Sequence, residues 1–135
     1  MLHPRLEEVK LIFEKALSEL GYVYAPDPVV ARLSPELAKE TMAWRRGGVV
    51  AHVEEEWEGA ALGISVGGCG VLVWVDAYGR VEVEGVACGD EVKGLADAAK
   101  AARQIAEDAK ALAEVLEKAS ELCGNCDWLK STFRL

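Results

Sequence analysis

The apolar positions in the last third of the chain fall on one repeating line. Leu95, Ala98, Ala102, Ile105, Ala109, Leu112, Leu116, Ala119 and Cys123 alternate in steps of three and four. That spacing is a seven-residue repeat, which puts all nine on one stripe of a helix. Ala, Glu, Lys, Leu and Arg dominate the stretch and are the strongest helix formers, so propensity and pattern agree. The repeat predicts a helix over residues 90–123. Gly89-Asp90 supplies a cap, Glu91 suits the positive end of the dipole, and Gly124 stands where a helix stops.

At the other end, Leu2, Leu6, Val9, Phe13, Ala16 and Leu20 form a second stripe, widened by Ile12 and Leu17. It predicts a helix over residues 2–20, ended by Gly21. Residues 22–25 read as a short strand and Pro26-Asp27-Pro28 as a turn; residues 29–33 fit either element. Ser34-Pro35-Glu36 is a helix start, with a capping Ser and Pro at the first helical position, and the helix is expected to run to Trp44.

The middle changes period from helical to alternating. Four strands are expected, over residues 49–57, 60–66, 69–76 and 80–88. Their turns are Glu58-Gly59, Gly67-Gly68 and Ala77-Tyr78-Gly79. Turn length sets register. Val53 is then expected opposite Ile64, Ile64 opposite Val71, Leu62 opposite Val73, and Val73 opposite Val83. All these apolar residues share one face. The fold class is therefore α+β: N-terminal helices over residues 1–46, a four-stranded antiparallel meander over 48–88, and a long amphipathic helix over 90–123 packed on one sheet face. Residues 124–135 form a tail, and the whole is expected to be one domain.

The same register gives the opposite face three rows: His52, Ser65, Gly70 and Val86; Glu54, Gly63, Leu72 and Glu84; Glu56, Ala61, Trp74 and Glu82. Small residues on the second strand leave a floor beside Trp74 and Leu72, with carboxylates on both flanks. This face is a candidate ligand site made of Trp74, Leu72, His52, Glu54, Glu56, Glu82 and Glu84. The competing reading is that another segment or a partner covers Trp74. Glu54, Glu55, Glu56 and Glu58 with Glu82 and Glu84 could hold a divalent ion; charge on a sheet face also simply solvates it.

Composition narrows the choices. A net charge of −8 opposes general nucleic-acid binding, which draws its affinity from phosphate contacts. No run of 18 apolar residues is present to span a membrane, and a cytoplasmic protein is expected. Gln104 and Asn125 are the only side-chain amides, a depletion typical of thermophiles, whose cytosolic proteins also tolerate disulfides.

Cys123-Gly124-Asn125-Cys126 has the spacing of redox pairs and zinc knuckles, with zinc as the metal it would take. Redox pairs open helices, where the dipole lowers a thiol pKa; this pair closes one. Cys69 and Cys88 are expected at one end of the sheet, far from Cys123, so a four-cysteine metal site is awkward and disulfides or buried thiols fit better. His3 and His52 have no acid placed beside them for a triad. Arg45-Arg46-Gly47-Gly48 is a basic spot after the expected helix, able to take an anion. No phosphate-binding, dinucleotide or nucleophile-elbow motif occurs.

A length mismatch motivates the functional expectation. Strands of this size reach about 25–30 Å, whereas the long helix reaches roughly 50 Å. About 20 Å of apolar helix needs another cover. The expectation is a non-enzymatic assembly or adaptor protein that forms a homodimer or binds another protein. Its interface would be Ala102, Ile105, Ala109, Leu112, Leu116 and Ala119, with Leu112 in the half beyond the sheet. A metal or thiol-redox module at Cys123 and Cys126, and a ligand binder at Trp74, are the alternatives.

Overall fold

The computed structural model describes residues 4–56, 59–66, 69–86, 94–124 and 130–131. Helix α1 (Pro4–Glu19) opens the chain. Strand β1 (Val23–Ala25), helix α2 (Pro28–Leu33), helix α3 (Pro35–Ala38) and a 3-10 turn (Lys39–Thr41) follow. Then come β2 (Ala43–Arg46), β3 (Val49–Glu56), β4 (Gly59–Val66), β5 (Cys69–Asp76), β6 (Arg80–Val86), helix α4 (Gly94–Leu122) and β7 (Lys130–Ser131). The strands form one sheet in chain order. Each of β1 to β5 pairs antiparallel with the next, and the two-residue β7 joins β6 in parallel.

The antiparallel meander is thus six strands and not four. Of the two further strands, β1 falls on residues 22–25, which were expected to be a short strand, and β2 falls at the end of the stretch expected to be helical up to Trp44. The helix start at Ser34 is real: its Oγ accepts from the Leu37 amide at 3.4 Å and Pro35 follows it. The helix lasts one turn, because the chain then finds better partners in a hairpin. Trp44 pairs with Ala51 and Arg46 with Val49 across Gly47-Gly48, where Gly47 takes a φ of 57°. Asp27 caps α2 by accepting from the amides of Val29 and Val30, with Pro28 in the first turn. That cap resolves residues 29–33 as helix.

Pairing within β4, β5 and β6 follows the expected register, with Ile64 opposite Val71, Leu62 opposite Val73, and Val73 opposite Val83. Between β3 and β4 the register differs by two residues. Val53 faces Leu62 and Glu56 faces Gly59, so Gly59 belongs to the strand. Gly59 is a paired strand residue whose partner Asp76 follows Trp74 and Val75. A Cβ there would sit 2.6 Å from Trp74 Cε2 and 2.8 Å from the Val75 carbonyl oxygen. Glycine is needed at that position for close approach and not for a turn. A shift of two keeps every side chain on its face, so the apolar face survives the correction.

Helices α1 and α4 lie side by side on that face. Leu6, Leu17, Leu62, Ile64, Val73, Val75 and Val115 are fully buried in one cluster. Each such side chain contributes about 1.5–3 kcal/mol by leaving water. Helix α4 buries Asp108, Leu112, Val115 and Ala119, and only its second half enters the core. Residues 94–100 are exposed without exception, and Leu95 is 90% exposed. The uncovered half is therefore the first one. Leu112, expected beyond the sheet, is 2% exposed inside the chain's own core. Residues 87–93, where the helix start and Cys88 were expected, lie outside the described residues.

Candidate binding face

The side of the sheet away from the helices is a face of β3 to β6 on which none of the described helices packs. Alternate strand residues point to it, and the register arranges them in rows. His52, Gly63, Leu72 and Glu84 form one row; Glu54, Ala61, Trp74 and Glu82 form the next. His52 thus faces Gly63 and not Ser65, which faces Val50. Five of the seven candidate ligand-site residues gather in these rows around Trp74: Leu72, His52, Glu54, Glu82 and Glu84. Glu56 begins the neighbouring row beside Gly59.

The small residues of β4 sink the middle of the face. Trp74 lies over Gly59, and the space above Gly63 is open. Trp74 and Leu72 are half-buried, while His52, Glu54 and Glu84 are exposed. Glu55 leaves the carboxylate group altogether. It points to the helix face and pairs with Lys10 of α1, which raises the Lys10 pKa chiefly through that hydrogen bond. Glu58 lies outside the described residues. No group of three or more His, Cys, Asp or Glu among the described residues is placed to hold a metal.

Arg45 and Arg46 do not form an anion site. They sit on β2, and both guanidinium groups are engaged inside the chain. Arg45 donates to the carbonyl oxygens of Ala25 (3.0 Å) and Thr41 (2.7 Å). Arg46 donates to the Leu20 carbonyl at 2.9 Å and to Glu114 Oε1 at 2.8 Å, and stacks 4.6 Å above the Tyr22 ring. That contact ties β2 to the end of α1 and to α4. The hydrogen bond from Arg46 holds the Glu114 carboxyl below its usual range. Burial pushes the Tyr22 phenol up, opposed by Arg46. The periodicity of the sequence gave no sign of this cluster, nor of the fully buried Asp108.

Cys123 is disulfide-bonded, to a partner whose side chain is not among those described. In that state its sulfur has no thiolate to give a metal. The side chain of Cys69 and all of Cys88, Cys126 and His3 lie outside the described residues. An apolar cleft of about 240 Å³ lies between α1, α4 and the sheet, lined by Phe13, Val75, Val81, Leu116 and Ser120 among others. Of the expected interface residues, Ala102 and Ala109 are exposed, Ile105 and Leu116 half-buried, and Leu112 and Ala119 buried in the core.

These features define an α+β meander with two helices on one face and an open, acidic, aromatic-bearing opposite face. No helix among the described residues is long and apolar enough to cross a membrane. Comparison with protein-family models, curated proteins and solved structures returned no match.

Proposed function

We propose that this chain is a non-enzymatic assembly protein that pairs with a second copy through the first half of α4. One observation carries the reading. The apolar repeat runs through Leu95, Ala98 and Ala102, yet residues 94–100 are exposed; Ile105 is the first residue of the repeat to pack against the core and Asp108 the first fully buried one. About 11 residues, or roughly 16 Å of helix, stand outside the core. Isolated helices of about that length are marginal in water, so a partner helix on the repeat stabilises them. Six alanines between residues 94 and 107 (Ala96, Ala98, Ala99, Ala101, Ala102 and Ala106) let two backbones approach closely.

The test is the mass in solution. Sedimentation equilibrium at micromolar concentration is expected to give twice the 14.6 kDa of one chain. Leu95→Glu with Ala102→Glu is expected to return it to one chain's mass with the far-ultraviolet spectrum of the sheet unchanged, since both side chains are exposed within the monomer. A wild-type protein that sediments as a single chain overturns the reading.

A further inference from the structure

The geometry points to the open sheet face as a binding trough for a basic, extended segment of a protein partner, with Trp74 as its anchor. The floor is β4, where Ala61, Gly63 and Ser65 present nothing larger than a hydroxymethyl group. The walls are β3 and β5, two strand spacings or about 10 Å apart. His52 and Glu54 stand on one wall, Leu72 and Trp74 on the other, and Glu82 and Glu84 lie directly behind the second.

Charge and shape select the occupant together. Trp74 sits between two carboxylates of its own row, Glu54 across Ala61 and Glu82 beside it. Indole is the best aromatic partner for a cation, and lysine or arginine can lay its alkyl stem on Leu72 and Trp74 while its head group reaches a carboxylate. Among the described residues no cation pairs with Glu54, Glu82 or Glu84. The ion pairs of α1, β2, β3 and α4 all lie on the helix side. Arg45, on the open face, spends its guanidinium on two carbonyl groups, and the exposed Arg80 stands at the end of β6. An apolar lid would strand the carboxylates without water. A nucleic acid, or the same face of a second copy, would bring like charge against them.

The test uses octalysine peptide as probe at low ionic strength, with backbone and indole amide resonances followed by NMR. The expected result is saturable binding with shifts confined to residues such as Glu54, Ala61, Gly63, Leu72 and the Trp74 indole. Glu54→Gln with Glu82→Gln is expected to weaken it by about tenfold. Glu40→Gln with Glu117→Gln removes the same charge from exposed sites elsewhere and is expected to cost less than about twofold. Trp74→Leu weakens binding further if it folds; the glutamine pair decides the matter if it does not. Equal losses in the two glutamine pairs, shifts outside the face, or no binding overturn the inference. So does a concentration-dependent shift of the same resonances without peptide, which assigns the face to a second copy.

Discussion

Two glycines four residues apart on β4 do opposite things. Gly59 lies under the Trp74 ring and against the Val75 carbonyl, whereas nothing stands within 4 Å of a Cβ at Gly63. Gly59→Ala is therefore expected to lower stability by about 2–3 kcal/mol, because backbone as well as a ring must move. Gly63→Ala is expected to be neutral or stabilising by up to about 1 kcal/mol, since it only removes freedom from the unfolded chain. Thermal melting of the pair checks this, and equal effects would undo the close approach of Trp74 and the Val75 carbonyl to Gly59. Glu114 offers a second residue-scale expectation. Its pKa is lowered in the folded chain by the hydrogen bond from Arg46. The stability this contributes is complete above the ordinary carboxylate value of 4.5 and is lost as pH falls through the lowered folded value. Both partners are well exposed, so the effect is a few tenths of a kcal/mol at most. The melting temperatures of wild type and Glu114→Gln are expected to differ by a constant amount above that pH and to converge below it.

At the scale of the element, α4 was legible as a helix but not in its relation to the sheet. A seven-residue repeat is uniform along its length, so it cannot mark which half meets the core. The line that the structure buries, Asp108, Leu112, Val115 and Ala119, is also rotated from the repeat and includes a carboxylate that no apolar pattern would select. Leu112→Asp now has a definite outcome. It puts a charge at a position 2% exposed in the core and is expected to unfold the chain by several kcal/mol, with loss of strand signal in circular dichroism. Retention of the sheet in a monomeric Leu112→Asp would place that half of the helix outside the core. Strands β3 to β6 were legible because alternation and short Gly-bearing turns act together. Strand β2 was not, because a strong helix start at Ser34 precedes it and no stop signal separates Ala38 from Ala43. The β3–β4 register was displaced because a shift of two residues keeps the same apolar face.

For the whole molecule, the alignment of Ala61, Trp74 and Glu82 could be read from sequence, whereas the β3 residue of that row is Glu54 and not the expected Glu56. The pairing register matches the expectation at β4–β5 and β5–β6 and is shifted by two residues at β3–β4. The helix-side cluster of Tyr22, Arg46 and Glu114 joins segments 24 and 68 residues apart, and no local pattern connects them. The sheet runs in strict chain order, and this has a consequence for the moment of synthesis. From β2 to β6 each strand finds the next a few residues away, so pairing in that meander needs no long loop to close. The cover for its apolar face is split between α1, the first element made, and α4, which follows β6. A nascent chain that has delivered β1 to β6 still shows Val73 and Val75 to water until residues 108–119 emerge. The vulnerable interval for this protein is the wait for the far end of its own final helix, when a finished sheet has only α1 against it.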